Sequence, residues 1–441
     1  MEASKKYIPV TVLKVHCWGN YVGALVLDQN TNFYAFEYAP SFQSSGTELA
    51  PLTLPLNESG PALFTHLPER TYYRLPPFIA DSLPDDFGNS LINAWMASRG
   101  TPPDDVSALD RLAYIGSRGM GALEYVPAIE GIDKLMPSAL DVSELTTEAR
   151  KAALAQLNNG TALSAENDLA QLIQIGTSAG GARAKAVVGF NPANETFISG
   201  QFDVPVDYDH WIIKFDISSD EPGHYGKSQK YGRIEYAYYL MARACGINME
   251  ESRLYEASGR AHFMTKRFDR GSNNERHHIQ TLCAMAQLDF NQVHVHDYHQ
   301  LFQTALQLGL PLQSQDELFR RMVFNVACFN KDDHTKNHSF KLQQGGSWEL
   351  SPAYDITHSS GFGQNSRQAM GVGGAFVDIN RENIMSFTQR YQIRNPESIL
   401  DSVLNAADNW AEYAETAGLK VGDKDQVGKN INHCRSLLLK A

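Results

Sequence analysis

The sequence predicts an α+β fold, β-rich first and helical last. Three observations carry this. From Tyr7 to about Phe268, runs of β-branched and aromatic residues recur between turn-forming Gly, Asn and Pro. From about His278 onward, apolar residues recur at helical spacing. The helical part is broken at Phe329–Phe340, where twelve positions hold two carboxylates, two histidines, two lysines and two asparagines, too polar a set for a core. At 441 residues the chain is too long for one simple core. Three domains are expected: residues 1–128, β-rich; 129–275, a second β-containing unit with a Gly-rich loop; and 276–441, mainly helical.

Composition narrows the function classes. A net charge of −12 argues against an overall nucleic-acid footprint. Five scattered cysteines without metal-ligand spacing read as reduced core thiols of a cytosolic protein. The N-terminus has no apolar leader and no run reaches the length of a membrane span, so a cytoplasmic location without membrane contact is expected.

In chain order, Tyr7–Val15 and Tyr21–Leu27 read as strands about a Gly19-Asn20 turn, and Asn32–Tyr38 as a third. Proline-rich 51–77 reads as irregular, and Asn89–Ser98 and Asp105–Ile115 as helices. Gly116, Gly119 and Gly121 form a tempting phosphate loop, but without the Gly-Lys-Ser/Thr ending and before a strand they read as tight turns. Leu145–Leu157 reads as a helix stopped by Asn158-Asn159-Gly160. The small residues from Gly176 to Ala182 (with Ser178, Ala179, Gly180 and Gly181), then Arg183 and Lys185, allow close backbone approach and supply positive charge, as a phosphate cradle requires. His210–Phe215 is a buried-type strand holding Lys214, for which Glu235 on the helix Arg233–Ala244 is a partner. Ser252–Ala257 and Ala261–Phe268 are strands; the main chain of Lys266, Arg267 and Phe268 lies where a hinge would present groups to adenine. The helices that follow are Gln280–Leu288, His299–Leu308, Gln315–Asn330, Pro396–Ala406 and Asp423–Leu439.

The chemistry in this order is phosphoryl transfer, which needs positioning, charge neutralisation and a base for the incoming hydroxyl. Asp332 is the candidate base, with Asp333 a possible substitute. Asn337 and Asp355 are hard oxygen donors suited to Mg²⁺. Lys336 is placed to face the γ-phosphate, and His334 to brace the loop. A small-residue loop, a strand lysine, a helix glutamate, a base loop and a lone Asp follow one another as in kinases.

These segments resemble the HipA family of bacterial serine/threonine kinases, the toxin components of type II toxin–antitoxin pairs. The resemblance is carried by Thr177–Lys185, Ile212–Lys214, Glu235 with its following helix, Lys266–Arg270, Asp332–Asn337 and Tyr354–Ile356, and by Leu109–Ala122 in the N-terminal domain. It implies a two-lobed protein-kinase-like fold with an N-terminal β-rich domain and an all-α C-terminal lobe. It implies Asp332 as base, Asn337 and Asp355 on Mg²⁺, Lys214 on the ATP phosphates and the Lys266–Phe268 backbone on adenine. It also implies autophosphorylation of Ser178, with Thr177 as fallback, as self-inactivation. The implied partners are a protein substrate, such as an aminoacyl-tRNA synthetase in the best-known members, and a HipB-like antitoxin through which DNA is contacted only indirectly. Asp333 stands where the best-known members have glycine, and Ala184 where many have proline. A small-molecule kinase of the same fold and a nucleotide-binding scaffold or pseudokinase are the alternatives.

Overall fold

The structure, a computed structural model, describes residues 7–128, 139–142, 184–216, 230–257, 259–359 and 367–440. The small-residue loop with Ser178, Ala179, Gly180, Gly181 and Ala182, and the expected helix Leu145–Leu157, lie outside the described residues. The chain divides into two compact units, one made of Met1–Gln229, Tyr255–Ile279 and Gln343–Gly346, the other of Lys230–Leu254, Gln280–Leu342 and Ser347–Ala441.

Two sheets organise the first unit. The N-terminal one has the order β3-β2-β1-β4, from β1 (Val12–Cys17), β2 (Asn20–Asp28), β3 (Phe33–Tyr38) and β4 (Leu123–Val126). The β1–β2 turn falls at Trp18-Gly19, one residue earlier than expected, because both residues adopt the positive φ that a tight hairpin turn demands. The first strand starts at Val12 rather than Tyr7: the Tyr7 hydroxyl and the Val10 N–H both donate to Asp110 Oδ1, at 2.6 and 2.8 Å, which holds this stretch outside the sheet. Asp110 also completes the capping box with Ser107 that starts α5 (Ala108–Ile115). Before it come three one-turn helices, α1 (Pro40–Gln43), α2 (Glu69–Tyr72) and α3 (Pro77–Ala80), and the longer α4 (Asp86–Ser98).

The second sheet has the order β5-β7-β6-β8-β10-β9, from β5 (Ala139–Leu140), β6 (Lys185–Asn191), β7 (Thr196–Ser199), β8 (Asp209–Lys214), β9 (Ser252–Ala257) and β10 (Arg260–Lys266). Every residue of central β6 is buried. Ala186, Val188, Phe190, Trp211, Ile213 and Met264 form one apolar core with Leu91 of α4. Gly189 is required there: a Cβ would lie 2.8 Å from both Ile198 Cγ1 and Val204 Cγ1.

The second unit is mainly helical: α6 (Tyr231–Ala244), α7 (Leu282–Met285), α8 (Tyr298–Gln307), α9 (Leu312–Ala327), α10 (Arg381–Arg390), α11 (Pro396–Asp408), α12 (Trp410–Thr416) and α13 (Val421–Leu439). The all-α expectation is corrected by a small sheet of order β11-β12-β13, from β11 (His278–Thr281), β12 (Ser339–Leu342) and β13 (Trp348–Leu350). The helix expected over Gln280–Leu288 gives way to the end of β11 and the single turn of α7. Thr281 separates them, extended itself while its hydroxyl accepts the Ala284 N–H at 3.3 Å. Helices α10 and α12 were not expected, for their apolar stripes are short. No described helix is long and apolar enough to cross a membrane.

Candidate active site

The polar stretch Asn330–Asn337 leaves the C-terminus of α9 through Cys328 and through Phe329, whose φ is +58°. The Tyr238 hydroxyl of α6 donates to the Cys328 carbonyl and fixes the exit point. The adjacent carboxylates then separate. Asp332 keeps 40% of its side chain exposed. Asp333 is 1% exposed and accepts from the Tyr298 hydroxyl at 2.6 Å and from the Ala369 N–H at 3.1 Å. Burial pushes the Asp333 carboxyl up to about 6, against the lowering effect of hydrogen bonds from Tyr298, Gln368 and the Met370 N–H. Asp333 is thus enclosed and held by hydrogen bonds at the wall of the cleft it shares with Asn337 and Asp355, while Asp332 beside it is the more exposed carboxylate.

The Asn337 amide nitrogen donates to the Asp332 carbonyl at 2.6 Å, and its N–H to the His334 carbonyl at 2.8 Å. With the nitrogen so used, the amide oxygen is the group left for a cation. Asp355, at φ +53°, lines the same small cleft as Asn337, Asn325 and Asn330. An amide oxygen and a carboxylate in one cleft fit Mg²⁺, an ion commonly held by one or two carboxylates with waters and phosphate oxygens. Burial pushes His334 down to about 4, opposed by Asp355 and assisted by Lys336. Its contact with Asp332, Nε2 to Oδ1 at 3.9 Å, is thus that of a neutral ring with a carboxylate. Lys336 lies over the Phe290 ring, its Nζ 4.5 Å from the centroid. Its carbonyl accepts the Tyr354 hydroxyl at 2.6 Å, which ties the loop to the residue before Asp355.

Residues that the sequence reading did not single out hold this loop. Gln368 Nε2 donates to the Asn330 carbonyl at 2.6 Å, and Asn330 Nδ2 to Asn325 Oδ1 at 2.9 Å. Asn325 Nδ2 donates to the Tyr298 hydroxyl at 2.9 Å. The available signal was Asn325 itself, a polar residue seven positions after Leu318 on the apolar stripe of α9.

In the first unit, Lys214 ends β8 with its Nζ 5.7 Å from the Phe263 ring centroid. In the second unit Glu235 is buried on α6. Two assignments need correction. Lys185 does not offer free positive charge: its Nζ lies 2.9 Å from Asp85 Oδ2, with side chains 5% and 4% exposed. Asp85 is also the N-cap of α4, accepting the Gly88 N–H at 2.8 Å. Arg267 is likewise structural. Its N–H donates to the His210 carbonyl at 2.9 Å, so that group is not open to adenine. Its guanidinium grips Asp269, with Nε 2.8 Å from Oδ1 and Nη2 2.6 Å from Oδ2. Arg270 shares Asp269 Oδ2 at 2.6 Å and donates to the carbonyls of Gly119 and Gly121. The Gly116–Gly121 cluster is accordingly a docking turn for this carboxylate, which also accepts the Gly121 N–H at 2.8 Å. Lys266 pairs at 2.9 Å with Asp209.

The model of the HipA N-terminal domain matches residues 13–126, and that of the HipA-like C-terminal domain matches residues 177–411. The serine/threonine-protein kinase toxin HipA of Shewanella oneidensis is 22% identical over 432 residues, which cover 89% of each chain. The solved structure of the S. oneidensis MR-1 HipA, HipB and operator DNA complex aligns with a TM-score of 0.66 at 18% identity, over 97% of this chain and 96% of that one.

Proposed function

Because the chain belongs to the HipA family, we propose that it transfers the γ-phosphate of ATP to a serine or threonine hydroxyl of a protein, with Mg²⁺, and that its own Ser178 is one acceptor. The enzyme is a serine/threonine-protein kinase of that family. The observation that carries the finer reading is the division of labour between neighbours, with Asp333 enclosed as a brace and Asp332 held open beside it.

In the step, the acceptor oxygen bonds to the γ-phosphorus as the bond to the β,γ-bridging oxygen breaks. The hydroxyl proton passes to the Asp332 carboxylate, and ADP leaves with the bridging oxygen. Asn337 and Asp355 would hold Mg²⁺, which supplies neutralisation of the phosphate charge. Lys214 serves the ATP phosphates, Lys336 the γ-phosphate and the Lys266–Phe268 main chain adenine, less the Arg267 N–H. Neutral His334 supports the loop and takes no proton from the acceptor hydroxyl. Phosphate on Ser178 would place about two negative charges among residues that handle ATP phosphates, and so silences the enzyme by repulsion. A HipB-like antitoxin is the proposed partner. With a net charge of −12, DNA contact is proposed to run through that partner.

The test is intact-mass spectrometry of unphosphorylated protein incubated with Mg²⁺ and ATP, beside Asp332→Ala. One added phosphate mapping to Ser178, absent from the variant, is expected. No phosphate on wild type, or equal phosphate on the variant, overturns the reading.

A further inference from the structure

The loop that carries Asp332 is closed into a ring of hydrogen bonds by groups remote in sequence. From Gln368 Nε2 the donors run to the Asn330 carbonyl (2.6 Å), from Asn330 Nδ2 to Asn325 Oδ1 (2.9 Å), from Asn325 Nδ2 to Tyr298 Oη (2.9 Å) and from Tyr298 Oη to Asp333 Oδ2 (2.6 Å). The ring returns to its start through Ala369, whose N–H donates to Asp333 Oδ1 at 3.1 Å. The same N–H lies 3.1 Å from the Lys331 carbonyl. The direction is uniform: from Asn330 onward each side chain donates to the next, and both approaches converge on one carboxylate. A carboxylate suits the end of such a relay, because it accepts from both the Tyr298 hydroxyl and the Ala369 N–H. Tyr298 is fully buried, Asp333 is 1% exposed and Asn325 4%, so water does not replace a lost partner cheaply.

The ring grips the main chain at Asn330 and Lys331 on one side of Asp332 and the Asp333 side chain on the other. We propose that Asp333 is a positioning residue for phosphoryl transfer, its carboxylate closing the ring that holds Asp332 in line with the incoming hydroxyl; this rests on Asp332 being the base of the kinase reading above. Asp333 acts by removing the freedom of its neighbour, and a misplacement of about 1 Å at a base costs on the order of 100-fold in rate.

The experiment follows phosphate incorporation into the full-length protein by quenched intact-mass spectrometry over a range of ATP concentrations. Wild type, Asp333→Asn, Tyr298→Phe and the double variant are compared. Asp333→Asn keeps the size of the side chain and one oxygen but puts a donor where the relay needs an acceptor. A fall in maximal rate of about 10- to 100-fold is expected, with the half-saturating ATP concentration within about 3-fold of wild type. Tyr298→Phe, which breaks the same ring more gently, falls less. The double variant falls no further than Asp333→Asn, because both act on one ring. Hydrogen exchange at the Ala369 amide, which needs no activity, reads whether the ring has opened. Accelerated exchange with a wild-type maximal rate in both single variants overturns the positioning role and leaves the kinase reading intact. Unchanged exchange at both the Ala369 and the Met370 amides in Asp333→Asn overturns it as well, because the carboxylate then does not keep the ring closed. A wild-type protein that incorporates no phosphate sinks the kinase reading, and the positioning role with it.

Discussion

Lys185 tests whether a lysine after a small-residue loop serves a ligand or the fold. Its ammonium and the Asp85 carboxylate lie 2.9 Å apart with side chains about one-twentieth exposed. Lys185→Met keeps the length of the side chain and removes the positive charge that faces the buried Asp85 carboxylate. Breaking a buried pair in this way costs about 3–5 kcal/mol. For a unit of this size, each kcal/mol lowers the melting temperature by roughly 2–4 °C, so a drop of roughly 6–20 °C is expected by scanning calorimetry. The second substitution is chosen from the other role of Asp85. Its Oδ1 caps α4 by accepting the Gly88 N–H at 2.8 Å. Asn at position 85 retains an N-capping oxygen and carries no charge. The double variant Lys185→Met with Asp85→Asn should therefore recover most of the loss, to within about 1–2 kcal/mol of wild type. ATP affinity, measured by titration calorimetry on folded protein, should stay within about 3-fold in both variants. A Lys185→Met protein that melts within about 2 °C of wild type but binds ATP at least 10-fold more weakly would refute the strut and restore the lysine to the phosphates.

Three further outcomes follow from the geometry. Asp269→Asn leaves Arg267 and Arg270 without their shared anion and should cost at least about 3 kcal/mol in urea unfolding. Burial raises the Asp269 carboxyl, but Arg267, Arg270 and the Gly121 N–H outweigh it and hold the group well below the carboxylate range. With the folded value depressed, its stabilisation is present above the unfolded value of about 4 and is lost as pH falls below it, so the Asn variant should lack that part of the acid slope. Asp355→Asn should raise the Mg²⁺ concentration for half-maximal phosphate incorporation by about 10-fold or more, while thermal stability in EDTA stays within about 1 kcal/mol. His334, pushed down to about 4, should take up no proton between pH 8 and pH 5.5 in an NMR titration of the ring. Uptake centred near pH 6.5 would mean that the ring is far more solvated than its position implies.

The order of strands and helices was legible because hydrophobic period is a local property: β1, β2, β3, β8, β10, α4, α6 and α9 sit within a few residues of where the alternation places them. The misses are of another kind. Tyr7 leaves its strand because Asp110, about a hundred residues on, takes its hydroxyl. Thr281 ends a strand and caps a turn where spacing alone suggested a continuing helix. The site divides the same way. Asp332, Asn337 and Asp355 announce themselves because so many polar groups in a short loop have no place in a core. The unequal fates of Asp332 and Asp333 were not legible, since adjacent side chains point apart and only Tyr298 and Ala369 decide which is enclosed.

The chemical inventory, carboxylates, amides and lysines and the order in which they occur, can be read from the amino-acid sequence. Those follow from residue type and spacing, which no folding event alters. Which charges serve the fold depends on contacts made between distant parts of the chain. Lys185 pairs with Asp85, and Arg267 and Arg270 share Asp269, because a charge taken out of water must meet an opposite charge wherever in the chain that partner lies. That pairing is a property of distance in space, and it separates a lysine that holds a helix in place from one that can meet a phosphate.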